Sequence, residues 1–258
     1  METLLKILLI TALAGVGGTG AGGLGACLLR RDSGRAVSLM LSFAAGVMIA
    51  VVCFDLLRDA MEPKNVPEQS YLLVVMAGIL AGYGVIAALN ALIDRSSAAN
   101  RRRQSRSGLL TAGVMMAAAI ALHNVPEGMV IGASFAKSAG TELLNRSGFV
   151  MAAVIGLHNV PEGMAVAVPL ISGGMGKGRA VVITAVTGAP TILGALLGYS
   201  LGVIGPLALA MSLSFASGAM LYVVFGELLP EAFGLWRSRL PALAVIAGMM
   251  VGITIVYW

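Results

Sequence analysis

Long apolar stretches, each near the roughly 20 residues that a bilayer-crossing helix needs, alternate along this chain with short polar connections. They run over residues 4–29, 36–57, 71–93, 109–136, 148–171, 179–202, 207–229 and 240–258. The pattern predicts an all-α integral membrane fold with eight transmembrane helices in a single domain, 1–258. Only residues 94–108 form a polar stretch of any length, rich in Arg, Ser and Asn and without His. They read as a flexible cytoplasmic basic loop beside anionic lipid.

Composition agrees with lipid as the surrounding solvent. Of 258 residues, 58% are hydrophobic and 11% charged, where a soluble domain carries roughly a quarter charged. The net charge of +5 does not point to nucleic acid, because the basic residues follow the loops. Loops one, three, five and seven hold 12 of the 17, among them Arg30, Arg31, Arg102, Arg103, Lys177 and Arg237. Positive residues mark cytoplasmic loops, so the odd loops are expected inside and both termini outside a cell (inner) membrane. Cys27 and Cys53 form no CxxC pair and read as small buried hydrophobes. The first apolar run continues to about Leu29, longer than the core of a signal peptide, and is expected to be retained. Its Gly15–Gly20 segment fits GxGxxG, but no strand precedes it. Small residues there suit close helix packing, within the bundle or against a second protomer of a homodimer.

Two internal repeats come next. SFAAGVMIAVVCFDLLRDA at 42–60 aligns with SFASGAMLYVVFGELLPEA at 214–232, with 10 of 19 positions identical. Asp55 and Asp59 meet Glu227 and Glu231. LHNVPEGM at 122–129 recurs at 157–164. On the loop assignment each pair runs in opposite directions, so spans 1–3 are expected to be inverted against 6–8, and span 4 against 5. Inverted repeats with polar, broken helices near the bilayer midplane are typical of transporters.

The second repeat carries the chemistry. Glu127 and Glu162 fall near mid-span with no Lys or Arg in the middle of either segment. A buried charge in a bilayer costs several kcal/mol, and a bound cation would supply the missing partner. At about 100° per residue, Glu127 lies one turn along from His123 and angularly between His123 and Asn124. Its two oxygens can therefore serve two ions. His158, Asn159 and Glu162 repeat the arrangement. Pro126 and Pro161 each free the carbonyl four residues earlier, at Leu122 and Leu157. Imidazole favours late first-row dications such as Zn²⁺, while carboxylate and amide oxygens accept Mn²⁺ and Fe²⁺. With no thiolate, the set can bind an ion without trapping it. Asn follows each His, so HExxH is absent and a zincin-type protease is disfavoured.

With the doubled HNVPEG and the SFAAGVMIA of span 2, the chain resembles the ZIP family of metal-ion transporters, in its bacterial, short-loop form. The resemblance covers essentially all eight spans. It implies a two-metal transport site on spans 4 and 5 and movement of divalent metal into the cytoplasm. Zn²⁺ is the first expectation, with Fe²⁺, Mn²⁺ or Cd²⁺ beside it, as transported substrate and not as cofactor. One implied position uses His123, Glu127, His158 and Glu162. Met48 matches the family's span-two methionine nearby, where core packing explains a methionine equally well. The other implied position uses Asn124, Asn159, Glu127 and Glu162. Thr191 stands where many bacterial members place a span-six Glu, which leaves that position weaker or used only in transit. Asp55, Glu227 and Asp94 are expected along the ion's path, as steering charges near its two ends.

Alternating access is the expected mode. A channel-like or bidirectional carrier and an intramembrane metal-dependent hydrolase stand as alternatives, the last requiring an open coordination position.

Overall fold

The computed structural model describes residues 2–28, 34–62, 68–101, 108–136 and 146–257. Among them every regular element is helical. Eight stretches are long and apolar enough to cross a membrane. They are span 1, Leu4–Leu28; span 2, Gly34–Met61; span 3, Tyr71–Leu92; span 4, Gly113–Ala136; span 5, Ser147–Ser172; span 6, Lys177–Ile204; span 7, Pro206–Leu235; and span 8, Leu240–Tyr257. Large apolar side chains such as Leu13, Leu28, Leu80, Ile204 and Leu243 point outward. Buried positions include His123, Asn124, Glu127, His158, Asn159 and Glu162. An apolar exterior around a polar centre is the inverse of a water-soluble domain, and it fits a multi-pass membrane protein.

One expectation changes in detail. The span-3 helix runs from Glu68 to Arg101, so the first part of the 94–108 stretch is helix and not flexible loop. No Gly or Pro occurs between Gly84 and Gly108 to stop it. Residues 102–107 lie outside the described residues. Spans 4 and 5, read as continuous, run unbroken past their prolines. Gly108–Ala136 continues through Pro126, and Arg146–Ser172 through Pro161 and Pro169. A proline removes one ladder bond, and close packing against neighbouring helices holds the rest.

The irregular turns lie in the other spans, at matching places in the repeat. Wide π-helical turns occupy Val52–Leu56 in span 2 and Val224–Leu228 in span 7. These ranges coincide when 42–60 is laid on 214–232. The same offset lays the π turn of span 1, Leu13–Gly17, on residues 185–189 of span 6. There one helix ends at Thr187 and the next starts at Pro190. π turns often mark functional sites, because the extra residue releases backbone groups from the ladder.

Packing follows the same two-fold relation. A methyl group added at Gly128 of span 4 would overlap the Thr191 carbonyl of span 6; at Gly163 of span 5 it would overlap the Thr19 carbonyl of span 1. Gly46 of span 2 lies on the Val245 carbonyl of span 8, and Gly218 of span 7 on the Ile79 carbonyl of span 3. Four seams result, 4 with 6, 5 with 1, 2 with 8 and 3 with 7, in which backbone lies directly on backbone. Gly82 on Phe215 and Gly248 on Phe43 repeat the correspondence of span 3 with span 8.

Candidate metal centre

Spans 4 and 5 face each other at the repeated segment. His158 Nε2 lies 2.8 Å from Glu127 Oε1 and 4.0 Å from Glu162 Oε1. One ligand atom from each of Glu127, His158 and Glu162 fits within 4.8 Å of the other two, and all three residues are buried. Glu127 Oε2 and both oxygens of Glu162 have no hydrogen-bond partner. A buried acceptor without a donor costs about 1–3 kcal/mol, and more when charged. Three such oxygens beside one imidazole make a pocket of negative charge that a dication would neutralise.

His123 stands apart from that trio. Its Nε2 is 2.9 Å from Glu227 Oε2 of span 7, within ion-pair distance though off the line of a hydrogen bond. The π turn of span 7 carries Glu227 at a place where its side chain is 17% exposed. The other Glu227 oxygen accepts a close hydrogen bond from the Asn90 amide of span 3. The same amide nitrogen lies 3.4 Å from the Tyr222 hydroxyl, and the Tyr222 ring meets Tyr83 edge-on at 5.3 Å. Asn90 escaped the sequence reading. A lone amide in an apolar span looks like any interhelical hydrogen bond, and its only cue is a polar residue at helical spacing ahead of Asp94.

The two asparagines of the motif serve largely as ties. Asn124 Nδ2 donates to Ile120 O and to Thr187 O, each at 2.9 Å. Asn159 Nδ2 donates to Ala14 O at 3.3 Å and to Asn124 Oδ1 at 3.5 Å. Thr187 O belongs to the break of span 6, and Ala14 O to the π turn of span 1, where it also accepts from the Gly18 N–H. Each irregular turn therefore anchors one motif asparagine. The amide oxygens differ: Asn124 Oδ1 accepts from Thr191 Oγ1 at 3.0 Å, whereas Asn159 Oδ1 has no partner. Thr19, the repeat mate of Thr191, turns instead to Gly15 O of its own span at 3.0 Å.

Met48 is buried in the apolar core of span 2, and Asp55 is half-buried in the π turn of the same span. Asp94 lies on the span-3 helix, with its side chain outside the described residues. A cavity of about 460 Å³ between spans 2, 5 and 8 reaches His158 from the side. Leu39, Phe43, Val154, Leu157 and Val251 line it. Apolar walls give a dehydrating cation nothing to bind.

Residues 94–257 match the family model described as ZIP zinc transporter. The chain is 34% identical to the zinc transporter ZupT of Chlorobium luteolum, across 97% of both proteins. It is 33% identical to that of Chlorobium phaeovibrioides, also across 97% of both. To that of Akkermansia muciniphila it is 31% identical, across 96% of both.

Proposed function

The chain belongs to the ZIP zinc transporter family, a family of transporters and not enzymes, and from that premise we propose that it moves divalent transition metal, Zn²⁺ first, across the inner membrane into the cytoplasm. The observation that carries the reading is the buried trio of Glu127, His158 and Glu162, whose carboxylate oxygens lack donors. Fe²⁺, Mn²⁺ and Cd²⁺ suit the same nitrogen and oxygen ligands. The loop charges support a topology with odd loops inside and both termini outside.

On that topology the site has layers. His158 and Glu127 form the outer one. Glu162 and His123 form the next, and Glu227 follows on the cytoplasmic side. An ion handed down this series keeps at least one carboxylate throughout, which limits the cost of dehydration. Met48 belongs to the wall of the path. Asp55 steers ions toward the outer end, and Asp94 draws them off at the inner end.

The second metal position is weaker on this reading. Asn124 Oδ1 already accepts from Thr191, so the amide oxygen left for an ion is that of Asn159. Alternating access accounts for burial of the trio, because a continuous pore would leave it hydrated.

The test is metal uptake into proteoliposomes. Glu127→Ala and His158→Ala are expected to abolish saturable Zn²⁺ uptake while protein still inserts. Near-normal uptake in both would overturn the site, and rapid flux linear in metal would replace the carrier with a pore.

A further inference from the structure

Asn90 is the one buried amide of span 3 among the described residues. One of its N–H groups meets Glu227 and the other points toward Tyr222. A carboxylate in a membrane interior needs donors when no cation is present. Asn90 supplies one to the first Glu227 oxygen, which leaves Oε2 beside His123 Nε2 at 2.9 Å. Without it, the carboxylate at a wide π turn has no described contact to hold its second oxygen on that line.

The two-fold relation sets a control inside the same molecule. Gly82 and Gly248 occupy equivalent seams, as do Ile79 and Val245. Continuing that register puts Val256 of span 8 at the place of Asn90. The repeat alignment puts Ala50 at the place of Tyr222. The scaffold is duplicated and the amide with its tyrosine is not. Packing needs alone would be met by Val and Ala, as they are in the other half.

We propose that Asn90 is a positioning residue for metal release, holding the Glu227 carboxylate so that its free oxygen receives the ion from His123. This rests on the transport reading above. Asn90 touches no metal on this account and acts through Glu227. Tyr222 shares the amide nitrogen and keeps the Asn90 side chain in its rotamer.

The experiment is initial-rate Zn²⁺ uptake in proteoliposomes. Asn90→Leu keeps the branched four-atom skeleton and removes the donors. Its maximal rate is expected to fall about tenfold, the rate equivalent of one hydrogen bond to a charged group. KM should stay within about twofold, because the outer layers that capture the ion are intact. Asn90→Gln, which keeps the amide, should recover part of the rate. In a Glu227→Gln background, Asn90→Leu should cost nothing further, since the group it aims is gone. A multiplicative loss in the double variant, or a wild-type maximal rate in Asn90→Leu, would overturn the assignment. If Asn90→Leu fails to insert, Asn90→Val, the residue of the equivalent position 256, takes its place with the same expectations and the same overturning outcomes. Absence of flux in the wild-type protein would sink the transport reading itself.

Discussion

The two sides of the buried trio are built on one scaffold and finished differently. On one side the π turn of span 7 presents Glu227, which faces His123 and is held by Asn90 with Tyr222 beside it. On the other, the π turn of span 2 presents the shorter Asp55, and the mates of Asn90 and Tyr222 are Val256 and Ala50. On the alternating-access reading proposed above, a carrier needs matching halves, and the repeats share their backbone, down to the π turns of spans 2 and 7. It also needs the ion to enter and leave on different terms. On the reading proposed above, the Glu227 carboxylate, held beside His123, serves as a ligand, and Asp55 serves as a source of potential that raises the local cation concentration. The difference between the halves is therefore placed in side chains, where it does not disturb the symmetry of the packing.

The largest effect expected from breaking this comparison comes at Glu227. Glu227→Ala removes the proposed receiving ligand, and the maximal rate of Zn²⁺ uptake should drop about tenfold or more with little change in KM. Asp55→Asn should do the opposite. Apparent KM for Zn²⁺ should rise about threefold at low ionic strength and return toward the wild-type value near 0.15 M salt, where charges are screened beyond about 8 Å. Kinetics measured at two salt concentrations separate the two roles. An unchanged KM at low salt removes Asp55 from the path. The smallest effect concerns the asparagines. Thr191→Val leaves Asn124 Oδ1 with only its longer contact from Asn159 Nδ2, at 3.5 Å, at a cost of about 1 kcal/mol for the lost hydrogen bond. Thermal unfolding in detergent should show a small decrease in midpoint. Equilibrium dialysis should show a gain in metal affinity if the released oxygen becomes a ligand.

The eight spans were legible because the apolar run length is set by bilayer thickness, and the repeats because their sequences remain similar. The family followed from the doubled HNVPEG. The position of His123 was less legible. Helical geometry put it one turn from Glu127 on the same helix, and the structure turns its Nε2 toward Glu227 of another span. Which of several reachable carboxylates a histidine faces depends on tertiary packing, and sequence spacing does not carry that. The π turns were hidden for a related reason. Val52–Leu56 and Val224–Leu228 hold ordinary helix and membrane residues, and an extra residue in one turn leaves no signature in residue type. Pro126 and Pro161, read as each freeing one carbonyl, do so without ending their helices. The break of span 6 falls where Asn124 is present to donate to Thr187 O, and the π turn of span 1 where Asn159 reaches Ala14 O.

The glycine seams bear on how this polypeptide could be divided. Three of the four, 5 with 1, 2 with 8 and 3 with 7, join a span before residue 102 to a span after it. Each has main chain lying on main chain at its glycines, where no side-chain conformer has to be selected when the surfaces meet. Two separately synthesised halves, severed between residues 102 and 107, would carry complementary faces able to find each other in the bilayer without a covalent link.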